Sequence, residues 1–312
     1  NMPEINLIKL EGKPFEKLID VISEGIGTLY KPRSIRKEAD SKAYEIRIIE
    51  QAKSKAISEG RELEAETYLR IQERFIFNET ERQKSIDNVV KIAAEQLKNE
   101  KNISSEPVDK DWSKRFFNTV QDISDEEMQT LWGRILAGET KQPKSYSKRT
   151  LELLKNLSKK EAEIFTKFAE LKIVASNSVI WNNDNGKFLE NEFNITFNDR
   201  LLMTELGLIS SENNLEFSLP ATKTHKSNSV LQYGNKGIVL YRDVDTPKQS
   251  IQVLVFTRTG IELSRLIEQK TNINYIEKIC ESFIDAKVKI EYGDLLKVGG
   301  KVMLSNKKEY NK

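Results

Sequence analysis

The chain has 312 residues, of which 38% are apolar and 31% charged, and its formal net charge is +2. That length allows about two domains, and the near-cancellation of basic by acidic residues leaves no global field toward nucleic acid or anionic lipid, so any such binding needs a local patch. A single cysteine, Cys280, excludes an intramolecular disulfide, and a single histidine, His225, lies in a Lys/Ser/Asn/Thr-rich stretch with no partner pattern for a catalytic triad, a Cys-His pair or a His-rich zinc site.

Phe15, Leu18, Ile19, Ile22, Ile26 and Leu29 recur at helical spacing and predict a helix ending near Tyr30, before Pro32. Gly25 and Gly27 inside it signal a kink or close packing. Residues 33–58 and 61–101 read as two long charged helices broken at Gly60. The first carries a narrow seam of Ala39, Ala43, Ala52, Ala56, Ile46 and Ile49; the second carries a wider one from Leu63 to Leu97. Neither keeps a strict heptad, so the pair is expected to pack as a hairpin or against another subunit, and residues 33–101 are the expected site of homo-oligomerisation.

Residues 102–109 read as a linker. Trp112, Phe116 and Val120 predict one helix. Ser124 with Glu127 predicts a capping box for the next, which bears Met128, Leu131, Trp132, Ile135 and Leu136 and is expected to close at Gly138. Ser147 is the expected cap of a short helix, and Ser158 with Glu161 a second capping box. After Lys172 short apolar runs alternate with turns: a turn cluster at 182–186, a short helix at 198–206 closed by Gly207, strands at 215–219, 237–244 and 251–256, a helix capped by Thr257, a helix through Tyr275 to Phe283 with Cys280 on its apolar face, and a strand at 288–292.

The run Gln121 to Glu139, with Leu131-Trp132-Gly133-Arg134-Ile135-Leu136-Ala137-Gly138-Glu139 at its centre, and the later Arg149-Thr150-Leu151 and Leu154-Lys155-Asn156-Leu157-Ser158, resemble a bacterial family known only as a domain of unknown function. The same helical core is more distantly similar to the Abi-alpha proteins of abortive infection against phage. The resemblance brings no catalytic residues with it. Capping and packing account for most of the motif and leave Gln129, Arg134, Glu139 and Arg149 as the candidate interaction residues, the two arginines suiting a carboxylate or phosphate.

The expected architecture is mainly α: a long-helix region at 1–103, a compact helical region at 104–172, a winged-helix-like α+β domain at 173–304 and a disordered tail at 305–312. The expected function is a non-enzymatic interaction or regulatory protein, with anti-phage defence as its setting. Two alternatives stay open. One is nucleic-acid binding through the winged-helix-like domain, with Lys223, Lys226 and Lys236 as a basic wing, although the helix at 198–206 offers Asn198, Asp199, Arg200, Thr204 and Glu205 and not a basic face. The other is a nuclease built on carboxylates and metal, for which no Asp and Glu-x-Lys fall on adjacent strands. No cofactor is expected. No apolar run is long enough for a membrane span and none opens the chain as a signal segment, so the expected compartment is the cytoplasm.

Overall fold

A computed structural model of the chain describes residues 12–27, 39–212, 214–298 and 301–310. The chain divides into two compact units between Lys155 and Asn156, so the helix that begins at Lys159 belongs to the second unit.

The first unit is helical: α1 (Lys13–Ile26), α2 (Ala39–Ser58), α3 (Glu62–Leu97), α4 (Lys110–Val120), α5 (Glu126–Lys141) and α6 (Lys148–Asn156). The apolar stripe of α1 buries Phe15, Leu18 and Ile22. The helix stops at Ile26 because Gly27 takes a left-handed φ of 83°. Gly25 is a packing glycine: a Cβ there would lie 2.2 Å from the Phe117 ring. Residues 28–38, with the expected start of the second helix, and the Gly299-Gly300 pair lie outside the described residues.

Between α2 and α3 the chain turns at Gly60 (φ 71°), where Arg61 N–H donates to Ala56 C=O and Gly60 N–H to Ile57 C=O, the double bond pattern of a Schellman turn. The core of the unit lies at the far end of α3, where Val89, Val90, Ala93 and Leu97 are buried, together with Trp112, Phe116 and Val120 of α4 and Trp132, Ile135 and Leu136 of α5. Phe116 stacks on Trp112 at 5.0 Å and meets Trp132 edge-on at 5.4 Å.

Three local readings are corrected. The cap of α5 is Asp125, whose carboxylate accepts the Met128 N–H at 2.8 Å, and not Ser124. Gly138 does not close α5, which runs on to Lys141; it is needed because the Tyr146 ring lies where its Cβ would be. Residues 102–109 are pinned to their unit, with Ser104 N–H on Lys141 C=O, Lys17 Nζ on Ser104 C=O, Val108 buried and Asp109 capping α4.

The second unit opens with α7 (Lys159–Glu170), whose Ser158/Glu161 capping box forms as expected. Then come β1 (Ile173–Val174), β2 (Ser178–Trp181), α8 (Lys187–Phe193), α9 (Phe197–Glu205), β3 (Glu216–Leu219), β4 (Ser227–Tyr233), β5 (Lys236–Arg242), β6 (Gln249–Val255), α10 (Arg258–Ser264), α11 (Ile273–Glu281), β7 (Val288–Val298) and β8 (Lys301–Glu309). Residues 305–309, expected to be disordered, are the second half of β8, and β7 is longer than the strand expected at 288–292.

One antiparallel sheet runs β3-β6-β2-β1-β4-β5-β7-β8. Its first three strands, with α7, α8 and α9, give the helix–strand–helix–helix–strand–strand order of a winged helix: β6 is flanked by β3 (Phe217↔Ile251) and β2 (Ile180↔Leu254). The connection between β3 and β6 is enlarged into the β4–β5 hairpin, which joins β1 on one side (Ile173↔Tyr233) and β7 on the other (Leu240↔Ile290).

Two sequence motifs of this unit form one joint. The Thr257 hydroxyl donates to Gly207 C=O at 2.5 Å, and a Cβ on Gly260 would fall 2.1 Å from Leu208 O. Gly207-Leu208-Ile209 and Thr257-x-x-Gly260 are thus the two sides of a close crossing that needs a glycine.

Candidate functional site

In a winged helix the second helix of the helix–turn–helix pair, here α9, is the element that reads a partner. It begins at a capping box: the Thr196 hydroxyl accepts from Asp199 N–H and the Asp199 carboxylate accepts from Thr196 N–H. Met203 is buried on the inner side and fixes the roll of the helix. That roll turns Phe197 and Leu201, one helical turn apart, outward with 66% and 48% of their surface exposed.

Arg200, the one cation of α9, is spent locally. Its guanidinium donates to Asn185 C=O at 3.1 Å, lies 5.7 Å over the Phe197 ring, and fills the space a Cβ on Gly186 would take. From α8 to the start of β3 the charged residues are Glu190, Glu192, Asp199, Glu205, Glu212 and Glu216 against Lys187 and Arg200. The helix presents two apolar side chains within an acidic surround. Beside it runs a groove of about 660 Å³ bordered by Asn182, Asn185, Leu201, Thr204, Asn214 and Gln252.

The three lysines expected to make a basic wing do not come together. Lys226 precedes β4 and pairs with Asp243 at 3.3 Å. Lys236 sits at the opposite end of the hairpin, paired with Asp294 at 2.5 Å. Seven-residue strands separate the two ends by about 23 Å. Lys223 and His225 are exposed in the segment before β4.

The four motif residues divide between the interior and the surface. Gln129 is buried, accepting from Asn88 and donating to Ile123 C=O at 2.8 Å. Glu139 is also buried, and its carboxylate accepts the N–H groups of Lys144 (2.7 Å) and Tyr146 (2.9 Å), fixing the turn after α5. Arg134 and Arg149 are exposed. Two of the four are therefore internal struts.

Other groups with chemical potential have structural employment. Cys280 is fully buried and burial pushes its thiol up to about 12, away from the thiolate a nucleophile needs. Lys172 donates to Ser264 Oγ at 2.9 Å, a pairing that can activate a serine, and burial lowers its pKa. The Ser264 hydroxyl, however, is 1% exposed and its hydrogen goes to Ile261 C=O at 2.8 Å. Among the described residues no group of three or more His, Cys, Asp or Glu side chains is placed to hold a metal ion, and no helix is long and apolar enough to cross a membrane.

Residue type alone does not single out Phe197 and Leu201, because an apolar residue in a helix is most simply a core residue. The available signal is excess: Phe197, Leu201, Leu202, Met203 and Leu206 are spread too widely for one face of a short helix to bury.

The family model described as Protein of unknown function (DUF2806) matches residues 69–280, more than half of the chain, and the chain belongs to that family. The match runs from the second turn of α3 through α10 and nearly all of α11, so it takes in the winged-helix-like arrangement and leaves out β7 and β8. No curated protein and no solved structure matches the chain.

Proposed function

We propose that the protein is a non-catalytic regulatory protein whose winged-helix-like unit docks another protein on the outward face of α9. The observation that carries this reading is the exposure of Phe197 and Leu201 on the helix that a DNA-binding winged helix uses to enter a groove. Duplex DNA carries a negative charge about every 1.7 Å, and its binding is driven by cations that displace counterions. An α9 whose arginine is held on Asn185 C=O, inside a run of six carboxylates, opposes that contact. An exposed aromatic and leucine are what protein interfaces place at their centre.

The cellular setting we propose is abortive infection against phage. Its support is the similarity of the Leu131–Ala137 core to the Abi-alpha proteins. Trp132, Ile135 and Leu136 are fully buried, so that similarity concerns how the helix packs and assigns no site.

A photo-crosslinking residue placed at Phe197 in growing cells tests the docking reading. Capture of one defined protein, lost when Leu201 is changed to Asp, is the expected result. Crosslinks to nucleic acid, or none above the level given by the same residue at Ile273 on α11, would overturn it.

A further inference from the structure

On the basis of that docking reading, we infer that the occupant of the α9 groove is an extended peptide segment of a partner protein. The segment bears a bulky apolar residue and, about two to four residues from it, a lysine or arginine.

Phe197, Leu201 and Glu205 follow one another at i, i+4 and i+8, and all three are exposed. They form one row of about 12 Å along the outward face of α9. The adjoining groove of about 660 Å³ is lined by that helix, by residues 209–212, 214 and 215, by β6, and by Asn182 and Asn185. Its volume lies within the range of about 300–1,000 Å³ that ligand sites occupy.

Hydrogen-bonding groups in the groove select a peptide backbone. The carboxamides of Asn185, Asn214 and Gln252 all line it, and none makes a hydrogen bond among the described residues. Each carboxamide offers both a donor and an acceptor. A folded surface has already paired most of its backbone N–H and C=O groups, whereas an extended segment brings its own unpaired.

Charge selects the side chains. Glu205 and Glu212 are exposed and have no ion-pair partner among the described residues. Glu212 lines the groove. Glu205 lies in the last turn of α9, where the helix dipole is negative and a carboxylate is disfavoured. A cation brought there by the partner relieves both the dipole and the unpaired carboxylate. The groove's own cation, Arg200, lies nearer the start of α9, held on Asn185 C=O at 3.1 Å and over the Phe197 ring. The apolar contact at Phe197 and Leu201 is therefore about 6–12 Å along the helix from the cation at Glu205, a distance an extended chain covers in about two to four residues.

The test is a selection, on the full chain, of displayed random peptides of about a dozen residues, several times the length the row requires. Peptides are kept only if they bind the unaltered chain and not Leu201→Asp; should Leu201→Asp not fold, Phe197→Ser takes its place. The survivors are expected to share a bulky apolar residue with a lysine or arginine about two to four positions away. A synthetic peptide of that pattern is expected to lose about tenfold or more in affinity for the double variant Glu205→Lys/Glu212→Lys. The same peptide with its basic residues changed to glutamate is expected to prefer the double variant, a gain that a misfolded chain would not give. Survivors without basic residues, or affinities indifferent to the charge reversal, overturn the inference and leave docking on α9 standing. No survivors at all overturns it too, and the docking reading is then decided by the Phe197 crosslink alone.

Discussion

At the scale of single residues, the positions that look functional in the sequence and the positions the fold depends on overlap. Glu139 belongs to the motif that resembles a family signature, and it holds two backbone N–H groups from inside the unit. Changing Glu139→Gln replaces one acceptor with an NH₂ facing a donor, and should cost about 1–3 kcal/mol of stability, read as a lower midpoint in denaturant. Gly25→Ala puts a methyl group into the Phe117 ring and should cost about 1–3 kcal/mol. The capping carboxylates give a pH dependence with a definite sign. Hydrogen bonds from Lys148 and the Trp112 N–H lower the pKa of Asp109, and those from Ser158 lower that of Glu161. A lowered folded-state pKa contributes stability that is full above the unfolded value and is lost as pH falls through the folded one. The window therefore opens below the ordinary values of 4.5 for Glu161 and 3.8 for Asp109. Melting temperature followed from pH 6 downward should fall there, and Glu161→Gln should flatten the curve; an unchanged slope would contradict the capping account.

At the scale of elements, what was legible in the sequence was what periodicity and capping chemistry determine. The stripes of α1, α4, α5 and α7 are long, and the last three helices begin at side chains that satisfy free N–H groups, so these helices form where the spacing places them. The errors have physical causes. Ser124 and Asp125 are both good caps, and only the direction of the backbone at Asp125 decides between them. Gly138 reads as a stop, but glycine also serves where another element presses on a helix. The seven residues of α8 are too few for a period to show. The β4–β5 hairpin has its signal in the two-residue Gly234-Asn235 turn (Gly234 φ 57°), yet the polar Ser227-Asn228-Ser229 start of β4 reads as loop and becomes strand through its pairing with β5. The orientation of α9 was not legible at all, because it depends on which of five apolar residues the core takes. That orientation yields a prediction. Met203→Ala should cost about 2–5 kcal/mol. Phe197→Ser should stay within about 0.5 kcal/mol, because its ring is mostly in water already. Equal costs in thermal or chemical unfolding would show that the roll of α9 is wrong.

For the whole molecule, the near-zero net charge conceals an uneven distribution: the stretch from Ile46 to Lys84 in α2 and α3 is balanced, with eight basic and eight acidic residues, and the run from α8 to the start of β3 is acidic. The candidate site is therefore a matter of placement and not of composition. Each unit also has its own core, centred on Trp132 and Phe116 in the first and on Tyr275, Ile276 and Phe283 in the second. A chain of residues 156–312 should accordingly unfold in one cooperative transition, whereas a cut at residue 173, which removes α7, should not. On the proposed reading, α9 docks a protein and not a nucleic acid. The most direct test is a titration of the full chain against a labelled duplex of about 20 base pairs at about 50 and about 200 mM salt, the range over which phosphate contacts reveal themselves. No binding tighter than about 10⁻⁴ M is expected at either salt, with no change when Arg200 is replaced by Ala. Micromolar binding that falls steeply with salt and is lost in Arg200→Ala would contradict it, and would make α9 a recognition helix for nucleic acid after all.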